Sequence, residues 1–121
     1  MDVLVIDDDA AVREIFALAL RGVAGRVRTA ADGETGVAFA REQKPDLVFL
    51  DLRMPGIDGV ETLRLLRELY ADITVYIVTA FAQEFLSSLD AARREGLVFQ
   101  LAAKPLRPDQ IAEIVRSVAS R

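Results

Sequence analysis

Five polar side chains lie at the end of short apolar segments or directly after them. They are Asp7, Asp8, Asp51, Thr79 and Lys104. Their chemical types could act together on a phosphoryl group. A group of carboxylates is repulsive unless a cation neutralises it. Oxygen ligands without histidine or cysteine favour a hard cation, and we expect Mg²⁺. Magnesium in proteins commonly takes one or two carboxylates together with phosphate oxygens, so these residue types indicate phosphoryl chemistry.

One carboxylate of this group could be the nucleophile that accepts a phosphoryl group as an acyl phosphate. Asp51 is the best candidate because its strand is expected to lie between the strands that carry the other groups. Thr79 could donate a hydrogen bond to a phosphoryl oxygen, and Lys104 could supply a positive charge. Each residue taken alone has a common structural explanation, such as a helix cap or a turn. Their joint occurrence favours a functional site.

The composition excludes several other kinds of chemistry. The chain of 121 residues has no cysteine, which removes thiol catalysis, zinc–thiolate sites and disulfide bonds. It has no histidine, so it lacks the commonest general base and cannot carry a phosphohistidine of its own. The net charge of −4 argues against nonspecific nucleic-acid binding. With 52% hydrophobic residues, the chain can form a core without covalent or metal support.

Five apolar segments are predicted to be β-strands. Residues 3–6, 47–50 and 73–78 are apolar at nearly every position, which is typical of strands covered on both faces. Residues 26–30 alternate between polar and apolar types, so this strand is expected nearer an edge of the sheet. A fifth strand is expected at residues 99–102.

Amphipathic segments that follow these strands are predicted to be helices. The first is expected after Asp9, a suitable N-cap residue, and Gly22 would end it. Another is expected after Asp58, which has Glu61 at capping-box spacing. The last is expected to begin at Pro108, since proline suits the first turn of a helix. Two shorter helices are expected around residues 37–40 and 85–92.

The alternation of strands and helices predicts an α/β fold. Five βα repeats imply a doubly wound parallel sheet with helices on both faces. Ligands of such sheets bind outside the carboxyl ends of the strands, where the five polar side chains would meet. No linker or repeat interrupts the pattern, so one domain over residues 1–121 is expected. The apolar runs are too short for a signal peptide or a membrane span, and we expect a soluble, cytoplasmic protein.

Four motifs resemble those of the receiver domain of two-component response regulators. They are Ile6-Asp7-Asp8-Asp9, Leu50-Asp51-Leu52-Arg53-Met54-Pro55-Gly56-Ile57-Asp58-Gly59, Val78-Thr79-Ala80 and Lys104-Pro105. They occur in the family's order and at normal spacing, and the resemblance covers Asp2 to about Ser120. It implies the flavodoxin-like receiver fold, (βα)5, with a five-stranded parallel sheet in the order 2-1-3-4-5.

The resemblance also implies roles for the matching residues. Asp51 would accept the phosphoryl group, and Thr79 and Lys104 would hold its oxygens. The Mg²⁺ ligands would be the carboxylates of Asp8, Asp51 and, largely through water, Asp7, together with the main-chain carbonyl of Arg53. The Lys104–Pro105 peptide bond would be cis.

The implied function is a signalling switch, not an enzyme with small-molecule turnover. The donor would be a sensor histidine kinase or a phosphotransfer protein, and the only chemistry would be self-phosphorylation and self-dephosphorylation. Phosphorylation would draw Thr79 inward and bias the face formed by the fourth helix, fifth strand and fifth helix. A downstream protein partner would bind there, and a phosphorylation-dependent homodimer could also form. Neither nucleic acid nor a membrane is an expected partner of this domain.

Departures from the family's pattern concern this output face. Most members have Tyr or Phe three residues before the lysine, where this chain has Leu101. The segment from Gly96 to Lys104 is one residue longer than the commonest spacing, and Leu106 replaces a frequent aromatic residue. Phe99 is expected on the same strand face as Leu101. It is open whether Leu101 or Phe99 takes the switch role, or whether Phe99 is simply part of the core.

Two rival hypotheses follow from the same residues. Asp7-Asp8-Asp9 also fits the opening motif of haloacid-dehalogenase-type phosphatases, in which Asp7 would carry the phosphate. That family needs a further acidic motif on a strand after its lysine, whereas only a helix is expected after Lys104. A degenerate receiver that is not phosphorylated is disfavoured because all five polar residues are present. The last helix ends at Arg121 without a linker, which favours a stand-alone receiver over one excised from a longer regulator.

Overall fold

The computed structural model describes residues 1–121, in which strands and helices alternate along the chain. The strands are β1 (Asp2–Ile6), β2 (Arg26–Ala30), β3 (Leu47–Leu50), β4 (Thr74–Thr79) and β5 (Gln100–Ala103). The α-helices are α1 (Ala10–Ala19), α2 (Gly33–Glu42), α3 (Gly59–Leu69), α4 (Leu86–Arg94) and α5 (Pro108–Ala119). A short 3₁₀ helix, Ala82–Phe85, precedes α4. The predicted order of elements is confirmed, and β1, β4 and β5 differ from prediction by one residue.

The five strands form one parallel sheet in the order β2-β1-β3-β4-β5. This is the order implied by the resemblance, and β2 is an edge strand as its alternating pattern predicted. The central strand β3 pairs with β1 on one side and with β4 on the other. The residue after β3 therefore lies between the ends of β1 and β4.

The sheet separates two hydrophobic clusters. One packs against α2, α3 and α4 and contains alternate strand residues such as Leu4 and Leu50. The other packs against α1 and α5 and contains their neighbours Val3 and Phe49. Each such side chain contributes about 1.5–3 kcal/mol when it leaves water, so both faces of the central strands must be apolar. This explains why β1 and β3 lack alternation.

Aspartate side chains cap three helices. Asp9 and Asp58 accept hydrogen bonds from the main chain at the starts of α1 and α3, which confirms the two predicted caps. Asp32 caps α2 in the same way and was not predicted. Pro108 is the first residue of α5, as expected. Gly22 does not end α1: the helix stops at Ala19, and Gly22 lies in the following turn with a φ of 77°.

The helices are short. The longest, α5, has 12 residues, and none of the helices qualifies as a membrane span.

Candidate functional site

The carboxyl ends of four strands bring the polar side chains to one edge of the sheet. Asp7 follows β1, Asp51 follows β3, Thr79 ends β4 and Lys104 follows β5. Asp7, Asp51 and Thr79 are almost fully buried, at 4%, 3% and 2% exposure, while Asp8 is exposed. Burial of two carboxyl groups is costly unless they are paired, so their partners determine what the site can do.

Three carboxylates form a compact acidic cluster. One oxygen atom from each of Asp7, Asp8 and Asp51 lies within 4.8 Å of the others. An ion between them would meet only hard oxygen donors, and this donor set fits Mg²⁺ better than a transition metal. Arg53, whose main-chain carbonyl is the further ligand implied by the resemblance, lies two residues after Asp51 in the same loop. These residues could hold a metal ion.

The ammonium group of Lys104 bridges two of the carboxylates. Its Nζ is 2.7 Å from Oδ2 of Asp7 and 3.2 Å from Oδ2 of Asp51. The other carboxylate oxygens accept main-chain hydrogen bonds, Asp7 from the N–H of Asp9 and Asp51 from that of Leu52. Every carboxylate oxygen of Asp7 and Asp51 thus has a hydrogen-bonding or ion-pair partner. The single ammonium contacts two of the three carboxyl groups in the cluster, so a divalent cation would complement the charge that remains.

The same contacts shift two pKa values. Burial raises the pKa of Asp51 above its ordinary value of 3.8, the negative charge of Asp7 raises it further, and Lys104 only partly offsets this. Burial alone would lower the pKa of Lys104, but Asp7 and Asp51 together outweigh it and raise that pKa. Lys104 is therefore a permanent cation at neutral pH. It is placed where a phosphoryl oxygen on Asp51 would need one.

The hydroxyl of Thr79 already has one partner. Its Oγ1 accepts a hydrogen bond from the main-chain N–H of Phe81 at 3.0 Å. The main-chain carbonyl of Thr79 accepts from the N–H of Lys104, which ties the ends of β4 and β5 together. Because the hydroxyl oxygen serves as an acceptor here, its own proton is free to be donated to a further oxygen atom.

The start of α3 lies against the main chain of Asp51. The N–H of Gly59 donates to the carbonyl of Leu52 at 2.8 Å. A Cβ at Gly59 would lie 2.7 Å from Cα of Leu52 and would overlap the carbonyl oxygen of Asp51. Only glycine allows this approach. The sequence contained the Asp58–Gly59 pair, but the pair predicts only a helix start and not this contact.

Two contacts around the site are made by arginine side chains for which the sequence predicts no role. Arg13 of α1 donates from Nη1 to the main-chain carbonyl of Asp7 at 2.7 Å. Arg53 stacks over the ring of Phe81, with its Cζ 4.8 Å from the ring centroid, and its Nη1 is 3.7 Å from Glu84. This second contact joins the loops that follow β3 and β4. An arginine in a loop or on a helix surface has no pattern that would have identified either contact.

The residues considered for the switch lie in different environments. Phe99 precedes β5 and is buried in the cluster beneath α3 and α4, with the guanidinium of Arg93 4.5 Å from its ring centroid. Leu101 lies on β5 and is 41% exposed. The location of Phe99 favours the interpretation that it is a core residue. The Lys104–Pro105 peptide bond, which connects β5 to the last loop, is cis.

Comparisons with known proteins agree with the fold and identify the family. Residues 3–116 match the family model for the response regulator receiver domain. The chain is 34% identical over 115 residues to the DNA-binding response regulator MtrA of Mycobacterium tuberculosis, covering 95% of this chain and 49% of that protein. It is 50% identical over 64 residues to the transcriptional regulatory protein AfsQ1 of Streptomyces coelicolor, covering 53% of this chain and 28% of that protein. The chain thus spans half or less of the length of these two relatives.

A solved structure has the same fold over nearly the whole chain. A CheY-like response regulator receiver domain protein from Methanospirillum hungatei superposes with a TM-score of 0.84, covering 98% of this chain and 94% of that one. The two sequences are 23% identical. At this identity the likeness concerns the fold alone.

Proposed function

The chain belongs to the response regulator receiver family, and from this premise we propose that Asp51 is the phosphoacceptor of a signalling switch. The donor is the phosphohistidine of a sensor histidine kinase or a phosphotransfer protein. This phosphohistidine must belong to another protein, since this chain contains no histidine. One observation carries the proposal. Asp51 is a buried carboxylate that contacts Lys104 and lies within 4.8 Å of two further carboxylates.

The transfer is a substitution at phosphorus. A carboxylate oxygen of Asp51 forms the new O–P bond while the N–P bond to the donor imidazole breaks, and the imidazole nitrogen keeps the electron pair. Lys104 turns its ammonium group to the phosphoryl oxygens, and Thr79 donates its free hydroxyl proton to one of them. Mg²⁺, held by Asp7, Asp8, Asp51 and the carbonyl of Arg53, would neutralise charge on the transferred group.

The movement of Thr79 toward a phosphoryl oxygen would disturb the hydrogen bond that its hydroxyl oxygen now accepts from Phe81. Its Oγ1 accepts from the N–H of Phe81, so a hydroxyl that moves toward Asp51 alters the loop that leads to α4. Phosphorylation thereby favours one of two arrangements of the α4–β5–α5 face. Leu86 and Leu101 are 51% and 41% exposed on this face and are suited to a downstream protein partner or to a phosphorylation-dependent homodimer.

Residues 1–121 act as one receiver domain in the cytoplasm, with self-phosphorylation and self-dephosphorylation as the only reactions. A membrane is not a partner, and this domain does not itself bind nucleic acid, because its charge and site suit neither.

Intact-mass measurement tests the proposal directly. The protein is incubated with Mg²⁺ and acetyl phosphate, and one added phosphoryl group is expected on the wild type. Asp51→Asn should take up none, and omission of Mg²⁺ should abolish or strongly slow uptake. An unchanged adduct on Asp51→Asn, or no adduct on the wild type, would overturn the assignment. An adduct lost in Asp7→Asn but kept in Asp51→Asn would instead favour the phosphatase-like alternative.

A further inference from the structure

Helix α3 connects the site with a distant part of the output side. We propose that Arg64 and Arg67 of α3 are positioning residues that couple the state of Asp51 to the α4–β5 connection, defined as Glu95–Phe99. The inference rests on the proposed phosphorylation of Asp51. It adds a route through α3 to the route through Thr79.

The first end of this route is the start of α3. The main chain of Gly59 packs on the carbonyl of Asp51 without a side chain between them, and its N–H donates to Leu52. The contact is too close to accommodate even a Cβ atom, so we expect a displacement of the Asp51 main chain to reach the first turn of α3. Main-chain hydrogen bonds join the successive turns of α3, and its residues Val60, Leu63 and Leu66 are buried on the side that faces the sheet.

The second end of the route is formed by Arg64. Its Nε and Nη2 donate to the two carboxylate oxygens of Glu95 at 3.1 and 3.0 Å, and its Nη1 donates to Glu61 at 3.0 Å. Exposed ion pairs are weak when they are formed by single flexible contacts. Here the guanidinium is fixed in a planar arrangement by three hydrogen bonds, and it joins α3 to the residue after α4.

Arg67, one turn further along α3, holds the same connection at its other end. Its Nε and Nη2 donate to the carbonyl of Val98 at 3.2 and 2.6 Å, and its Nη1 donates to the carbonyl of Ile73 at 2.6 Å. These acceptors are main-chain atoms, so Arg67 holds the backbone itself in position and not only a side chain. A lysine could not reproduce these contacts, because all of its N–H donors are on one nitrogen atom, whereas the guanidinium donates from three.

The α4–β5 connection leads directly to the exposed residues of the output face. Val98 is 67% exposed, Phe99 is buried beside it, and Leu101 follows on β5 at 41% exposure. Leu101 has no aromatic ring that could exchange between an inward and an outward position. A shift of the backbone that Arg67 holds would change how Val98 and Leu101 are presented, and this shift requires no aromatic residue.

Amide NMR spectra of the ¹⁵N-labelled chain test the coupling. Mg²⁺ and beryllium fluoride, a non-hydrolysable phosphoryl mimic, are added to the wild type, Arg67→Met, Arg67→Lys and Glu95→Gln. In the wild type we expect shift changes at Thr79, Phe81 and the α4–β5 connection. In the variants the changes at the connection should fall about two-fold or more, while those at Thr79 and Phe81 are retained. Arg67→Lys should lose the coupling although it keeps the charge.

The control is Arg94→Gln, because Arg94 is exposed on α4 and makes no side-chain hydrogen bond or ion pair. It should respond like the wild type. Equal changes at the connection in all variants, or none there in the wild type, would overturn the coupling while leaving phosphorylation of Asp51 intact. Failure of Asp51 to accept a phosphoryl group in the mass experiment would overturn the proposed function instead. If Arg67→Met does not fold, Glu95→Gln decides the result alone, since it changes one exposed side chain.

Discussion

At the scale of single residues, the site depends on how Lys104 is shared. Its Nζ lies closer to Asp7 than to Asp51, so the proposed phosphoacceptor has the weaker of the two contacts. Burial and the negative charge of Asp7 outweigh this contact and leave Asp51 with a raised pKa. A carboxylate that is only partly neutralised by a neighbouring cation stays more basic than a fully paired one. Its charge is therefore stabilised more when a further cation binds beside it.

The raised pKa of Asp51 predicts a specific pH dependence of stability. Because the folded pKa lies above the ordinary value of 3.8, the fold favours the protonated carboxyl. The stability that this group contributes is complete below 3.8 and is lost as the pH rises through the folded pKa. The free energy of unfolding without Mg²⁺, measured with urea across this range, should show this loss in the wild type and not in Asp51→Asn. Identical pH slopes would contradict the prediction.

At the scale of elements, the start of α3 is the contact that tolerates change least. Gly59→Ala would place a methyl group against the carbonyl of Asp51, and overpacking of this kind costs about 1–3 kcal/mol. We expect a lower free energy of unfolding and slower phosphate uptake from acetyl phosphate, because the Asp51 main chain must move. Glu68→Ala, at an exposed position of the same helix, is the control and should change neither quantity. Uptake at the wild-type rate in Gly59→Ala would show that the contact does not position Asp51.

The cap of the same helix can be tested separately. Asp58 accepts a hydrogen bond from the N–H of Glu61 at 2.9 Å, and loss of such a cap costs about 1 kcal/mol. Asp58→Ala should therefore lower the free energy of unfolding by about this amount. Asp58→Ser, which keeps an acceptor oxygen, should recover most of it. Equal losses in both variants would mean that the side-chain hydrogen bond is not the cause.

Much of the element order could be predicted because local patterns determine it. Strands that are apolar at every position have two buried faces, and Asp9 and Asp58 are good caps in nearly any context. The position of Gly22 was predicted wrongly as a helix end, because the last turn already closes at Leu20 with main-chain hydrogen bonds. Asp32 was missed because α2 is weakly amphipathic and gives little reason to look for a cap before it.

At the scale of the whole molecule, repulsion within the acidic cluster is expected to lower the stability of the metal-free fold. Mg²⁺ bound only by the folded state would stabilise it by about 2.7 kcal/mol at a concentration of 100 times Kd. Each kcal/mol raises the Tm by about 4 °C in a domain of this size. The wild type should show such a rise with Mg²⁺ in a thermal denaturation experiment. Asp8→Asn should be at least as stable as the wild type in a chelator and should gain less from Mg²⁺.

A gain from Mg²⁺ in Asp8→Asn equal to that of the wild type would contradict a role of Asp8 as a ligand. A wild-type Tm that does not respond to Mg²⁺ would contradict the metal site itself.

The candidate site was accessible from the sequence because the ends of parallel strands share one edge, so chain order alone places Asp7, Asp51 and Lys104 together. The contacts of Arg64 with Glu95 and of Arg67 with Val98 were not accessible in this way. They join positions 31 residues apart on the surface and between elements, where no periodic pattern constrains which side chain meets which.

The assembly of the site from separate strand ends has a consequence for biosynthesis. Lys104 meets Asp51 from 53 residues away in the sequence, and it follows β5, which is the last strand along the chain and lies at an edge of the sheet. A nascent chain that still lacks β5 in its place has the carboxylate of Asp51 but not the cation beside it. Under the proposed function, competence to take up phosphate would therefore arise only when the sheet is complete. The rate of phosphate uptake during refolding would report the native fraction of molecules, and unfinished chains would not compete for the donor.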